Sequence, residues 1–176
     1  LITGGTSIAR LGVGASGALT ALTVPSLGIG SASVTSLAVY GAKVVLTSFN
    51  GGWLKIWDRD TGSVLTLTGL TYPGGLAVTS TGILVGAGKG SVITRVGWDA
   101  TVLGSVDLRM PRLDGEPPYN YPYAFPKMVL FDDSRVLVSI SGGLVSMTTD
   151  TLAVTASGEG FCCTAGGTTP NAINRG

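Results

Sequence analysis

The chain contains no histidine and only two cysteines, and both features restrict its chemistry. Histidine is the commonest general base and the commonest metal ligand in proteins. Cys162 and Cys163 are adjacent, and neighbouring cysteines rarely form an unstrained disulfide with each other. We therefore expect no disulfide framework. We interpret the pair as small apolar residues, with free thiols or a bond to another chain left open.

Charged side chains are also scarce, at 12% of the chain, where ordinary globular domains have about 25%. The 11 basic and 10 acidic residues leave a net charge of +1. This balance lacks the strong positive charge that binders of nucleic acids and anionic membranes use. Hydrophobic residues make up 44% of the chain, too many for intrinsic disorder. The 176 residues therefore predict one globular domain that binds no nucleic acid.

The longest stretch without a charge covers residues 11–42, which is long enough to cross a bilayer as a helix. Six glycines and one proline interrupt this stretch, so it is a poor transmembrane helix and a poor signal peptide. We therefore expect no membrane insertion. The chain begins with Leu1 rather than methionine, so we expect a processed product or a piece of a longer chain.

Glycine and short aliphatic runs are what the sequence has in abundance. There are 28 glycines, and runs rich in Val, Ile, Leu and Thr lie between clusters of Gly, Asn, Asp and Ser. Short runs with a period of two are typical of β-strands. The intervening glycines supply the positive backbone dihedrals that tight turns require. No segment has convincing helical spacing with caps, so the sequence predicts an all-β protein.

Glycine turns divide these runs at intervals of 47, 38 and 53 residues, which indicates a repeat. The intervals are counted between Gly5, Gly52, Gly90 and Gly143. A four-stranded propeller blade takes about 40 to 45 residues. Three such blades are predicted at residues 34–68, 76–108 and 127–156, whereas residues 6–13 and 19–24 match only the two outer strands of a blade. We predict a partial β-propeller of about three and a half four-stranded blades, with a β-sandwich as the alternative.

One stretch of the predicted blade at residues 34–68 carries a specific motif. Residues 52–65 read Gly-Trp-Leu-Lys-Ile-Trp-Asp-Arg-Asp-Thr-Gly-Ser-Val-Leu. This stretch resembles the end of a WD-repeat blade, with Trp57 and Asp58 in the place of the Trp-Asp dipeptide. The chain therefore resembles a divergent WD-repeat-like β-propeller segment over residues 3–158.

The other blades depart from the WD-repeat pattern. Trp98-Asp99 lies eight residues after its turn glycine rather than five, which places this dipeptide in a turn. Thr149-Asp150 is at most a remnant of the dipeptide. The Gly-His dipeptide of the family is absent because the chain has no histidine, so the resemblance implies that the internal hydrogen-bond tetrad of the family is missing.

An open set of blades leaves two large apolar sheet faces in water, because each blade of a propeller packs on both neighbours. We divide the chain into a propeller-like domain at residues 1–158, with an inserted loop at residues 109–126, and an extended arm or linker at residues 159–176. Other protein chains or copies of the chain itself are expected to cover the faces. Two copies would supply seven blades, within the range of about 4 to 8 that propellers use.

The inserted loop at residues 109–126 contains five of the eight prolines and three of the five tyrosines. Prolines prevent ladder hydrogen bonding and favour extended conformations. Tyr, Arg and Met are enriched at protein interfaces. The segment is therefore predicted to be a contact arm, with a loop folded onto its own propeller as the alternative. The predicted partner-binding residues are Arg109, Met110, Tyr119, Tyr121, Tyr123 and Phe125.

Three candidate ligand motifs lack the required pattern. Residues 86–91 are similar to a phosphate-binding loop, but Gly90 occupies the Ser/Thr position and a strand follows. Residues 58–62 begin like a calcium loop without its bidentate glutamate, so a turn held by Asp side chains is predicted. Asp132 and Asp133 would point to opposite faces of a strand, so a hairpin turn is predicted.

Catalytic chemistry finds no support in the sequence. The serines and threonines have no histidine base, and no lysine has Ser-x-x-Lys spacing. Glu116 and Glu159 are the only glutamates, which disfavours a carboxylate-based glycosidase. We therefore predict that the chain is not an enzyme and has no catalytic residue, no cofactor and no metal site.

These observations together predict a structural or scaffolding subunit that mediates protein–protein contacts in a larger assembly. The alternative is a self-assembling extracellular fibre or virion protein, whose Thr-rich and Gly-rich strands associate by strand exchange. The first hypothesis predicts a discrete particle with unlike partners, and the second predicts concentration-dependent polymers of this chain alone.

Overall fold

The computed structural model of the chain describes residues 2–4, 7–87, 91–108, 126–140 and 143–159. Within these residues every regular element is a β-strand. A helix long and apolar enough to span a membrane is not found among them. The prediction of an all-β protein is confirmed.

The described strands form four antiparallel sheets, each built from strands that follow one another along the chain. Sheet I comprises β1 (Ile2–Gly4), β2 (Ser7–Val13) and β3 (Leu19–Leu22). Sheet II comprises β4 (Ser36–Tyr40), β5 (Lys43–Ser48), β6 (Trp53–Asp58) and β7 (Val64–Thr68). Sheet III comprises β8 (Pro73–Thr79), β9 (Gly82–Ala87), β10 (Val92–Val96) and β11 (Val102–Asp107). Sheet IV comprises β12 (Lys127–Asp132), β13 (Arg135–Ile140), β14 (Gly143–Thr148) and β15 (Val154–Glu159).

The first strands of sheets II, III and IV lie beside one another. Strand β4 contacts β8, and β8 contacts β12. The hydroxyl of Ser36 on β4 donates a hydrogen bond to the carbonyl of Gly74 on β8. The last strands, β7, β11 and β15, consist mainly of exposed residues. Sheets that meet at their first strands and present their last strands to solvent are the blades of a propeller, so the predicted partial β-propeller is confirmed.

The apolar layer between sheets II and III is almost fully buried. It contains Val45, Leu54 and Ile56 from sheet II and Ile83, Val85 and Val96 from sheet III. The other face of sheet II is covered as well, because Val44 and Leu46 lie in the layer between sheets I and II. Coverage of both faces explains why β5 contains a continuous apolar run rather than an alternating pattern.

Two further layers complete the stack of sheets. The layer between sheets III and IV includes Leu84, Ile93, Val136, Val138 and Met147. The layer between sheets I and II includes Val44, Leu46, Trp53 and Trp57 of sheet II, and it is covered by Leu27 of the connection between β3 and β4 and by Ile8 of sheet I. Three layers between successive sheets differ from the single core of a β-sandwich, so the alternative fold is not the one observed.

Three predicted turns lie where the sequence places them. Residues 58–62 connect β6 to β7, and Trp98-Asp99 lies in the turn between β10 and β11. Asp132 ends β12 and accepts a hydrogen bond from the backbone N–H of Ser134, which closes the hairpin to β13. The interpretation of these segments as turns is confirmed.

Sheets I and IV differ from the prediction at their ends. Sheet I has three described strands instead of two, because β1 pairs with β2 through Ile2 opposite Ala9. A strand of three residues is too short to show a period in the sequence. The last strand, Val154–Glu159, ends three residues beyond the predicted end at residue 156. Leu152 precedes this strand in a turn with a φ of 58° and is buried there.

Candidate interaction surfaces

Sheet I leaves one apolar face without a covering sheet among the described residues. On β2, Ile8 packs into the layer against sheet II. Successive side chains of a strand point to opposite faces, so Leu11 and Val13 lie on the other face. Val13 pairs with Leu19 across the ladder, and their side chains are 73% and 66% exposed. We call this surface, formed by Leu11, Val13 and Leu19, the N-face.

Sheet IV leaves the second open face, at the opposite end of the stack. Val136 and Val138 pack toward sheet III, so Leu137 between them points away. Val129 pairs with Leu137 and is 63% exposed. Phe131, two residues further along β12, is 62% exposed.

Strand β14 extends this second surface. Its residue Leu144 pairs with Ser139, which has the same parity on β13 as Leu137, so Leu144 lies on the open side as well. It is half-buried. We call the surface formed by Val129, Phe131, Leu137 and Leu144 the C-face. Contiguous exposed apolar patches of this kind mark interaction sites.

The six predicted partner-binding residues, Arg109, Met110, Tyr119, Tyr121, Tyr123 and Phe125, lie outside the described residues. The two residues that flank them, Leu108 and Pro126, are both buried. Leu108 is buried in the layer between sheets III and IV, and its N–H donates to the carbonyl of Ser91 at 2.9 Å. Pro126 is buried against sheet III, where Gly75 and Gly86 face each other across β8 and β9.

These two glycines leave room for Pro126. A Cβ atom on Gly75 would lie 2.0 Å from the Pro126 carbonyl oxygen, and one on Gly86 would lie 3.0 Å from the Pro126 Cβ. Only residues without a Cβ permit this close approach. The two ends of the inserted loop, the Pro/Tyr-rich segment at residues 109–126, are therefore anchored on the propeller.

A cluster of aromatic and basic side chains bridges the turns of sheets II and III. The rings of Tyr40 and Trp98 lie 5.7 Å apart, and the Lys43 ammonium lies 5.9 Å from the centre of the Trp98 ring. The Trp98 indole N–H donates to the carbonyl of Ser80 at 3.1 Å. Sequence reasoning missed this cluster, because its members come from different sheets. The only signal was the displacement of Trp98-Asp99 from its expected register.

Three turn aspartates, Asp58, Asp99 and Asp132, accept hydrogen bonds from residues of their own turns. The N–H of Thr61 donates to Asp58 at 3.1 Å, and the Lys43 ammonium lies 3.2 Å away from this carboxylate. These bonds lower the pKa of Asp58 below its ordinary value of 3.8. The hydroxyl and N–H of Thr101 donate to Asp99 and lower the pKa of Asp99 as well.

Asp132 shows the largest effect of this kind. It accepts the hydroxyl of Ser134 at 2.6 Å and the N–H of the same residue at 2.8 Å, and it forms an ion pair with Arg135 at 3.0 Å. These contacts lower the pKa of Asp132 from 3.8 to about 2. A carboxylate with such a low pKa is ionised at neutral pH, so it stabilises a turn and is unsuited to act as a general acid.

Trp57, near the end of β6, is buried with its indole N–H unpaired among the described residues. Its cross-strand neighbours are Val44 and Val64, and neither side chain has an acceptor.

A cleft of about 300 Å³ opens between sheet III and the connection from β7 to β8. Its lining includes Leu70, Pro73 and Val85 together with the hydroxyls of Thr94 and Ser105. It lies at the lower limit of the size of ligand pockets, about 300 to 1,000 Å³. Among the described parts of the chain, no group of three or more potential metal ligands is found.

No protein-family model and no curated protein matches the chain. Several solved structures are similar to the chain. A streptogramin B lyase is 16% identical with a TM-score of 0.60, over 85% of this chain and 47% of its own. BamB from Moraxella catarrhalis is 17% identical with a TM-score of 0.53, over 77% of this chain and 41% of its own. Sqt1 from Saccharomyces cerevisiae is 16% identical with a TM-score of 0.57, over 80% of this chain and 39% of its own.

These neighbours are β-propeller proteins, and at such low identity the likeness shows the fold alone. The chain spans less than half the length of each of these three proteins.

Proposed function

We propose that the chain is a non-enzymatic scaffolding subunit that mediates protein–protein contacts in a larger assembly. One observation carries the proposal: the sheets at both ends of the stack present apolar faces to water, while the faces between sheets are buried. Burial of apolar surface contributes roughly 25 cal/mol per Å². The N-face and the C-face therefore favour association with another sheet-like surface.

The chemistry of the described polar groups supports a scaffold rather than an enzyme. Asp58, Asp99 and Asp132 serve their own turns, as their lowered pKa values indicate. We also propose that sheet II is a divergent WD-repeat blade, based on the position of Trp57 and Asp58 at the end of β6. In this proposal, sheet II has the strand arrangement of a WD-repeat blade but lacks the internal hydrogen-bond tetrad of the family.

We further propose that the Pro/Tyr-rich segment is a contact arm toward a partner protein, with Arg109, Met110, Tyr119, Tyr121, Tyr123 and Phe125 as its contact residues. Its support is the chemistry of these side chains, which suits interface hot spots, and the anchoring of its flanks at Leu108 and Pro126.

Site-specific photo-crosslinking in cells that produce the protein tests the function. A photoreactive amino acid at Tyr121 is expected to give an adduct of one discrete mass with a different protein. The matched control places the same amino acid at Tyr40, which is on sheet II and partly exposed. Deletion of residues 116–125 is expected to abolish the partner complex. No adduct at Tyr121, or the same adduct at both positions, would contradict the proposed contact arm.

A further inference from the structure

The first third of the chain is basic. Residues 1–57 contain three basic side chains, Arg10, Lys43 and Lys55, and no aspartate or glutamate. The acidic residues all lie from Asp58 onward. Lys43 is neutralised by Asp58 at 3.2 Å, whereas Arg10 and Lys55 form no ion pair with another described residue. Two cations of sheets I and II are therefore available to an anion.

The ammonium of Lys55 has fewer partners than it can use. Lys55 is 8% exposed. An ammonium has three donors, and the one hydrogen bond of Lys55 within the described chain goes to the Thr66 hydroxyl at 3.1 Å, while the Trp53 ring centre lies 5.4 Å away. Trp57 lies two residues along β6 on the same face, and its buried indole N–H has no partner among the described residues either. A buried charge without a counter-charge is costly, so this face of β6 favours an anion.

A cavity of about 320 Å³ lies beside this ammonium. Ile8 and residues 24–30 line the cavity, and a Cβ atom on Gly28 would lie 3.8 Å from the Lys55 Nζ. One serine has the only polar side chain among these lining residues, so the other polar atoms of the lining belong to the backbone. The backbone N–H groups of residues 26–31 donate to no other described residue. They are therefore available as donors to a ligand.

The backbone of this connection between β3 and β4 alternates in the sign of φ. The φ angle is 57° at Gly28 and 66° at Gly30, whereas it is negative at Leu27 and Ile29. Successive residues of αR and αL conformation direct their N–H groups to one side and form the concavities that bind phosphate in many proteins. The alternation at residues 27–30 favours such a concavity at the cavity wall.

A second cation lies on the sheet I side of the cavity. Arg10 and Ile8 have the same parity on β2, so Arg10 lies on the face that packs toward sheet II. It is half-buried. A phosphate monoester carries a charge of about −1.5 to −2 at pH 7 and has three strong acceptor oxygens. It therefore matches two cations and several N–H donors, whereas a carboxylate would balance only one of the two cations.

We propose that the connection between β3 and β4 binds a small phosphate-bearing anion, held by Lys55, Arg10 and the N–H groups of residues 26–31. The cavity is at the lower limit of the size of ligand pockets, about 300 to 1,000 Å³, so the ligand is inorganic phosphate or a small phosphate monoester. The site goes beyond the proposed scaffolding function, because it uses no residue of the N-face, the C-face or the inserted loop.

Isothermal titration calorimetry with inorganic phosphate tests the site on the 176-residue chain. The ionic strength is kept constant with sodium chloride, which separates a specific site from general screening of charge. The unsubstituted chain is expected to bind one phosphate per chain and to have a higher Tm in phosphate than in chloride. The absence of both saturable binding and a Tm rise overturns the site.

Substitutions of single lysines test which cation holds the phosphate. Lys55→Met is expected to weaken phosphate binding about 10- to 100-fold, because it removes a charge-assisted hydrogen bond. Lys55→Gln is expected to show a similar loss, and it replaces the methionine variant if that variant does not fold by circular dichroism. Arg10→Met is expected to weaken binding as well.

Lys43→Met is the matched control, since Lys43 belongs to the same basic part of the chain and is already paired with Asp58. It is expected to bind phosphate with the affinity of the unsubstituted chain. Equal affinities of Lys55→Met and Lys43→Met overturn the proposed site, because phosphate would then respond only to the general positive charge of the region.

An acidic side chain of the chain itself is another source of anionic oxygens. Asp114 and Glu116 lie outside the described residues. A chain that carries both Asp114→Asn and Glu116→Gln is expected to bind phosphate with unchanged affinity. If only this doubly substituted chain binds phosphate, a carboxylate of the chain occupies the site and phosphate is overturned as its ligand.

Discussion

The layer between sheets II and III and the C-face of sheet IV are built from the same kinds of residue, and they differ in what covers them. In the layer, Ile83 and Leu54 are fully buried. On the C-face, Val129 and Phe131 are mostly exposed. The strands show the difference as well, since β5 is buried at five consecutive positions, whereas β13 alternates. The order of buried and exposed residues along a propeller strand therefore indicates whether one or both of its faces are covered by its own chain.

The largest effect is expected inside the layer. Ile83→Ala should lower the free energy of unfolding by about 2 to 5 kcal/mol, because it leaves a cavity among fully buried neighbours. Val129→Ala should change it by less than about 0.5 kcal/mol in dilute protein, where the C-face is in water. Chemical denaturation measures both values. Equal losses for the two variants in dilute protein would show that the C-face is already covered within one chain.

A smaller effect on the free energy of unfolding is expected where β8 of sheet III lies beside β12 of sheet IV. Gly75→Ala should lower the free energy of unfolding by about 1 to 3 kcal/mol, because the added methyl collides with the Pro126 carbonyl. Gly104→Ala is the matched control, since nothing lies within 4 Å of its Cβ position. Denaturant titration of both variants measures the difference. If Gly75→Ala is as stable as Gly104→Ala, Pro126 is not seated between the glycines.

The layer between sheets I and II contains a buried charge, and Lys55 is the one charged side chain that is buried among the described residues. Lys55 is buried, donates to the Thr66 hydroxyl at 3.1 Å and lies 5.4 Å from the Trp53 ring centre. It has no carboxylate partner among the described residues. Lys55→Met should raise the free energy of unfolding by about 1 kcal/mol, because a buried unpaired charge is costly and Met retains the apolar stem.

Lys43→Met is the matched control for this change, since Lys43 is partly exposed and paired with Asp58. It should lower the free energy of unfolding by about 0.2 to 1 kcal/mol. Thermal unfolding at one pH compares the two variants. A loss of stability in Lys55→Met would show that the ammonium stabilises the layer.

The smallest effect is expected at the hairpin between β12 and β13, and it depends on pH. The pKa of Asp132 is lowered to about 2 from 3.8, so its carboxylate stabilises the folded state above pH 3.8. This contribution decreases as the pH falls toward 2. Asp132→Asn should therefore have a lower Tm than the unsubstituted chain at neutral pH, with the difference shrinking below pH 3.8 and disappearing once the pH has fallen through 2.

Asp133→Asn is the control for removing one negative charge from the same turn. Thermal unfolding between neutral pH and pH 2 follows both variants. A Tm difference for Asp132→Asn that is independent of pH would show that the hydrogen bonds to Ser134, and not the charge of the carboxylate, stabilise the hairpin.

The strand positions of sheets II, III and IV could be predicted because glycine turns and the period of two are local properties of the sequence. Strand β1 was missed because three residues show no period. The cluster of Tyr40, Lys43 and Trp98 was missed because it forms only when sheets II and III are packed together. Which residues of sheets I and IV remain exposed also depends on how the sheets are stacked, and no local pattern specifies that arrangement.

The side-by-side contacts of β4 with β8 and of β8 with β12 connect only sheets that follow one another along the chain. Sheets II, III and IV therefore make their main strand contacts with their immediate neighbours along the chain. Proteins whose repeats contact only their neighbours can fold by propagation from one repeat to the next. During synthesis, a newly emerged blade would find its packing surface already formed. Each new blade would then cover the exposed apolar face of the blade made before it.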